Sequence, residues 1–210
     1  MKQILLVHCS PHGKATHGFR LASDLVGQLQ LKNKGCEVIE RDLVAHPLPP
    51  LAPAYAEALL AMQLSDPALA ISEQLIGELE RSDCLVLVTP MHNFTVPAAL
   101  KLWIDYVLRI GRTFVSTPEG KLGLLADRPT YVVVSSGGFH KGEQARQPDF
   151  LTPYLKVVLR TIGIHHVEFI SLQGLVFGED CVAQTLGEAR HKLSLDYLVQ
   201  LPKTAPTVKA

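Results

Sequence analysis

A chain of 210 residues is long enough to bury one substantial core. With 47% hydrophobic and 19% charged residues it has the composition of a folded globular protein and not of a disordered or fibrous one. Twenty basic residues balance twenty acidic ones, so the electrostatic footprint of a protein that binds nucleic acid or an anionic membrane is missing.

Residues 1–7 hold one lysine and a short apolar run, too short for a secretory segment. No stretch reaches the ~18 apolar residues that span a bilayer. A cytoplasmic location is the expectation. Cys9, Cys36, Cys84 and Cys181 are scattered without a C-x-x-C pair and read as reduced thiols, Cys9 and Cys84 as part of the core.

Residues 4–7 form a continuous apolar run, the pattern of a strand covered on both faces. Turn chemistry follows at residues 8–13, then a helix whose stripe is Ala22, Leu25, Val26 and Leu29. Gly35 closes that unit, and residues 37–41 read as a second strand nearer an edge. Four prolines between residues 45 and 55 predict an irregular loop. Asp66-Pro67 predicts a helix start, with Ile71, Leu75 and Leu79 on its buried side. Residues 84–88 are a third strand. Pro97 begins a helix carrying Leu100, Ile104, Val107 and Leu108. Residues 112–126 break the alternation and read as an inserted hairpin. Residues 131–134 and 167–170 are strands, and residues 151–162 and 188–199 are helices. Strands alternating with helices predict a doubly wound α/β fold, a five-stranded parallel sheet of order 2-1-3-4-5 with helices on both faces. One domain is expected over residues 1–201, with a mobile tail at 202–210.

This fold brings together the loops after the first, third and fourth strands. The first offers Ser10, Thr16 and the start of a helix, where hydroxyls and free N–H groups hold a phosphate. It lacks the triphosphate and dinucleotide glycine patterns, which favours a mononucleotide. Thr16 as a plain helix cap is the other reading. The second loop sets Met91, His92, Asn93 and Phe94 at the mouth of a buried strand. A flat ring lying over them, or their packing into the core, accounts for that composition. The third, Ser135, Ser136, Gly137 and Gly138, permits close approach of backbone to a ligand, and His140 follows it. His8, His12 and His17 flank the first loop without an acidic partner in sequence, so no metal site is expected. Residues 141–148 are polar and read as a surface loop or a lid. Trp103 belongs to the core or to a subunit contact.

At these residues the chain resembles the FMN-dependent NADH-azoreductases among the flavodoxin-like quinone reductases. That family's P-M-Y-N-F-x-x-P-x-x-L-K-x-x-I-D stands here as Pro90, Met91, His92, Asn93 and Phe94, then Pro97, Leu100, Lys101, Ile104 and Asp105. Residues 111–114 and 123–125 are similar to its hairpin, and residues 152–155 and 162–164 to its T-P-Y-L and I-G-I segments. The resemblance implies non-covalent FMN, reduction of quinones and azo compounds by NADH or NADPH, and a homodimer with FMN sites at the interface. It implies that Ser10, Thr16, His17 and Gly18 hold the phosphate. It implies that Pro90, Met91, His92, Asn93 and Phe94 hold the ring, with Ser135, Ser136, Gly137 and Gly138 beside it. Asn93 and His140 are the expected catalytic groups. The chain departs from the family at Thr16 and Gly18, where serines are common, at His92 for tyrosine and at Ser136 for arginine. A nucleotide-sensing regulatory subunit of a transport protein and a flavodoxin-type electron carrier are the alternatives.

Overall fold

The structure is a computed structural model and describes residues 1–61, 63 and 65–193. The expected tail at 202–210 and the end of the expected last helix lie outside the described residues. In chain order the elements are β1 (Gln3–His8), α1 (His17–Lys32), β2 (Glu37–Asp42), α2 (Pro53–Leu60), α3 (Ala70–Arg81), β3 (Cys84–Pro90), α4 (Ala98–Val107), β4 (Phe114–Thr117), β5 (Gly120–Gly123), β6 (Thr130–Ser135), α5 (Leu151–Thr161), β7 (Val167–Leu172) and α6 (Glu179–Lys192).

Five strands pair in parallel in the order β2-β1-β3-β6-β7. Because β6 and β7 are the fourth and fifth strands of the sheet, this is the expected 2-1-3-4-5 order. The antiparallel pair β4–β5 is the expected hairpin, closed by the register Phe114 to Gly123. The continuous apolar runs of β1, β3 and β6 are explained by burial on both faces. Leu5, Val7, Leu85, Leu87, Val132 and Val134 enter one core, with Trp103, Leu75 and Leu155 from the helices. Ile4, Leu6, Val86, Val88, Tyr131 and Val133 enter the other, against Ala22, Leu25 and Leu29 of α1. Each such fully buried aliphatic side chain contributes about 1.5–3 kcal/mol. Trp103, only 1% exposed, belongs to the first core.

Three local expectations are corrected. Pro53 does not lie in an irregular loop. It opens α2 at a first-turn position, where its missing N–H costs nothing. Asp66 accepts a hydrogen bond from the Ala68 amide at 2.8 Å, but it caps a short 3-10 turn at Pro67–Leu69 that then runs into α3. The last helix begins at Glu179, well before residue 188. Gly178 (φ 95°) supplies the bend, and Glu179 and Asp180 suit the positive end of the helix.

Arg128, 4% exposed, closes the lower end of the layer that carries β3. Its guanidinium donates to the carbonyls of Leu79, Ser82 (2.6 Å) and Ala126 (2.8 Å). Leu79 and Ser82 lie at the C-terminus of α3, where carbonyls lack intrahelical donors, and Ala126 lies in the loop before β6. Arg128→Met keeps the apolar stem and removes the donors to the Ser82 and Ala126 carbonyls. It is expected to cost about 3 kcal/mol, read as a lower urea midpoint at unchanged m-value.

Candidate functional site

The winding of the sheet reverses between β1 and β3, so the carboxyl ends of β1, β3 and β6 open a crevice between them. A cleft of about 380 Å³ lies there. It is walled by Ser10, His12, Thr16 and His17 at one end, by Val88, Thr89, Pro90, Met91 and His92 along one side, and by Ser135, Ser136, Gly137, Leu175 and Val176 along the other. Its volume is that of small-ligand sites, and none of these residues is a carboxylate.

The end at Ser10 is shaped by α1. Thr16 is the N-cap of that helix: its hydroxyl accepts from the Phe19 amide at 3.2 Å and donates to the Gly13 carbonyl at 3.2 Å. Capping and wall are therefore one role here, because Thr16 also lines the cleft. By helix geometry the N–H groups of His17 and Gly18 in the first turn have no intrahelical acceptor. They and the positive end of the macrodipole suit an anion. Lys14 does not face the cleft; it pairs with Glu40 at 2.7 Å. His8 Nε2 also meets Glu40, at 3.0 Å, so the absence of an acidic partner read from sequence is corrected for His8. Among the described residues no group of three His, Cys, Asp or Glu side chains is placed to hold a metal.

Gly18 sits under this end and does not line it. A Cβ at Gly18 would stand 2.6 Å from Ser135 Oγ and 3.4 Å from a Val88 methyl. The missing side chain thus lets the start of α1 settle onto β3 and β6.

On the second loop, His92 and Thr95 exchange two backbone hydrogen bonds at 3.0 Å. The tight turn between them forces Asn93 (φ 47°) and Phe94 (φ 72°) into left-handed backbone, at a cost of about 1 kcal/mol or more each. Asn93 and Phe94 are exposed beyond the cleft wall, whereas Pro90, Met91 and His92 form it.

The third loop is tied to its neighbours. The Met91 amide donates to Ser135 O at 2.8 Å, and the Leu175 amide to Ser136 O at 3.2 Å. Ser136 is 4% exposed, and its hydroxyl is committed within the loop, donating to Gly138 O (2.8 Å) and meeting His140 Nδ1 (3.0 Å). Gly138 and His140 do not line the cleft. His140 is 6% exposed, and its Nε2 is buried without a partner. Burial pushes its pKa below the ordinary 6.5, with Lys141 acting in the same sense and Asp149 opposing. Burial likewise pushes the Cys9 and Cys84 thiols up to about 12, as expected of core cysteines.

The cleft therefore gathers Ser10, Thr16, His17, Pro90, Met91, His92, Ser135, Ser136 and Gly137 of the residues singled out from sequence. It leaves Gly18, Asn93, Phe94, Gly138 and His140 outside its wall. His12, Val88, Thr89, Leu175 and Val176 are additions. Leu175 and Val176 come from the loop after β7, a fourth loop the sequence reading did not bring to the site.

Two outcomes follow from this packing. Gly18→Ser should cost about 1 kcal/mol, measured as a fall in chemical-denaturation stability, because the Ser135 hydroxyl must turn aside and the Val88 methyl is already in contact. The lowered His140 pKa means that the unfolded chain binds more protons than the native one between the native His140 pKa and about 6.5. Stability rises with pH across that window and is lost as pH falls through it. A His140→Gln variant should show a shallower loss of urea midpoint than the parent chain between pH 7 and 5.

The sequence matches the family described as having a flavodoxin-like fold over residues 2–195. It is 60% identical over 199 residues to the FMN-dependent NADH:quinone oxidoreductase 4 of Pseudomonas fluorescens, covering 94% of this chain and 97% of the relative. It is 54% identical to the FMN-dependent NADH:quinone oxidoreductase 5 of Burkholderia lata, covering 90% and 93%. Among solved structures, the fold is that of an azoreductase from Bacillus anthracis, with a TM-score of 0.81 at 22% identity over 92% of this chain and 97% of the other. An FMN-dependent NADH-azoreductase of Bacillus anthracis solved in complex with FMN gives a TM-score of 0.76 at 19% identity, covering 92% and 98%. With its sheet order, its cleft at the winding reversal and relatives this similar over nearly their whole length, the chain belongs to the family of FMN-dependent NADH:quinone oxidoreductases of flavodoxin-like fold.

Proposed function

We propose that this chain is an FMN-dependent oxidoreductase that takes electrons from NADH or NADPH and reduces quinones and azo compounds. The observation that carries the reading is the meeting, in one cleft free of carboxylates, of a hydroxyl-bearing helix start with an apolar wall of Pro90 and Met91. The relatives at 60% and 54% identity, both FMN-dependent NADH:quinone oxidoreductases, support it. The residues present fit a flavin mononucleotide: the helix start suits its phosphate and the flat apolar wall its ring.

Bound FMN supplies two-electron chemistry that no side chain here can perform. The chain's own residues bind and orient. Ser10, Thr16, His17 and the amide of Gly18 hold the phosphate. Pro90, Met91 and His92 would form the wall against which the ring is held, with Asn93 and the backbone of 93–94 as hydrogen-bonding groups beside it. Ser135, Ser136, Gly137 and Gly138 would border it on the other side, where backbone N–H groups would stabilise negative charge. His140 acts there as a neutral hydrogen-bonding group through the loop it anchors, since burial disfavours its cation. Donor and acceptor use the same open face of the cleft, so they take turns, and ping-pong kinetics result.

The active form is a homodimer with its sites at the interface. Phe94 and Phe150 are 44% and 61% exposed at the rim, and the Phe150 amide donates to Phe94 O at 3.0 Å. Joined aromatic groups of this size at the mouth of a site suit burial against a second copy. The balanced charge of the chain gives no support for a nucleic-acid partner, and no described helix is long and apolar enough to cross a membrane.

The purified protein should be yellow or take up FMN, bleach on anaerobic addition of NADH and recover its colour with a benzoquinone. Double-reciprocal plots should be parallel; intersecting lines would overturn the shared face. Thr16→Val should weaken FMN binding about tenfold, read by recovery of flavin fluorescence. Light scattering should give twice the chain mass, falling towards the monomer in a Phe94→Asp/Phe150→Asp double variant.

A further inference from the structure

The side chain of Met91 makes part of the cleft wall, yet a methionine has three rotatable bonds and is a poor rigid surface. Gln147 restrains it. The Gln147 side-chain amide donates to Met91 Sδ at 3.4 Å. The same amide lies against Gly138 of the third loop, where there is no side chain to obstruct it. A Cβ on Gly138 would stand 2.6 Å from Gln147 Oε1 and 3.2 Å from its Cδ.

The segment holding Gln147 is itself fixed. The amides of Arg146 and Gln147 donate to Phe139 O at 3.0 and 3.3 Å. Asp149 Oδ1 accepts from the amides of Leu151 and Thr152 at 3.0 and 2.8 Å, which ties the segment to the start of α5. Phe150 in turn donates to Phe94 O at 3.0 Å, holding the left-handed turn at Asn93 and Phe94. Residues 147–150 therefore touch the second loop at Met91 and Phe94 and the third at Gly138 and Phe139.

We propose that Gln147 is a positioning residue: it pins Met91 and bridges the two loops of the ring wall, so that they hold one spacing before any ligand arrives. The polar segment at 141–148 is then a clamp and not a free lid. Its value to the reaction rests on the flavin reading above, since a preset wall lowers the cost of ordering on binding. The restraint on Met91 does not rest on it.

The test uses the FMN-free protein with methyl-labelled methionine. The chain has only three methionines, and Met91→Leu assigns the resonance of interest. In the parent chain the Met91 methyl should report a single rotamer. Gln147→Glu keeps the shape and removes the N–H donor; it should shift the Met91 methyl toward its rotamer-averaged position. Gly138→Ala should do the same by displacing the Gln147 amide. The double variant Gln147→Ala/Gly138→Ala should match Gln147→Ala alone, because the alanine at 138 then has nothing to displace. FMN affinity should fall about three- to tenfold in Gln147→Glu at unchanged melting temperature. A Met91 methyl that ignores both single variants, or shifts that add in the double, would overturn the clamp. A parent chain that shows the Met91 restraint yet takes up no FMN would overturn the flavin reading and leave the clamp standing.

Discussion

The structure depends on one constraint: a sheet that is covered on both faces. Side chains of β1, β3 and β6 point alternately into two cores, and both must be filled by apolar groups. Chemistry is thereby expelled from the strands. It can reside only where the strands end, and the reversal of winding between β1 and β3 opens one place where neighbouring ends part. The cleft is a consequence of that topology before it is a property of any residue in it.

The loops then share the work unequally. The one after β1 contributes a helix start and therefore a fixed set of N–H groups. The one after β3 contributes shape, at the expense of two left-handed residues held by hydrogen bonds from His92, Thr95 and Phe150. The one after β6 contributes backbone, and its only hydroxyl outside the strand is turned inward to Gly138 and His140. Where the family resemblance implies an arginine, this chain has a buried serine. The wall of the cleft on that side, formed by Ser135, Ser136, Gly137, Leu175 and Val176, accordingly carries no charged side chain.

Much of this could be read in the sequence, for physical reasons. Runs such as residues 84–88 have no solvent face, so their periodicity is unambiguous. α2 escaped notice because four prolines dominate its approach, although Pro53 is a helix opener. The start of α6 escaped because its residues are mostly polar and only Thr185 and Ala189 are buried. In the site, three loops were legible because each has an odd composition. Leu175 and Val176 were not, since an apolar pair after a strand looks like core; the hydrogen bonds from Gly174 to Gly138 and from Leu175 to Ser136, with the Gln173 side chain and the stacked rings of Phe139 and Phe177, fold that loop back over the cleft. His140 carried a clear signal of type, but its burial and its tie to Ser136 depend on packing that no local pattern encodes.

Gly18 bears on how such a site can drift between relatives. Its α-carbon side meets Ser135 across a separation of more than a hundred residues, and nothing larger fits while both stay in place. A serine in this position would add a hydroxyl to the loop, and it would also press on the Ser135 hydroxyl at the end of β6. What looks in sequence like the loss of one phosphate ligand is, in three dimensions, also a matter of how closely α1 packs on β3 and β6. Grafting a single loop from one relative to another would therefore transfer the donors without the floor they stand on.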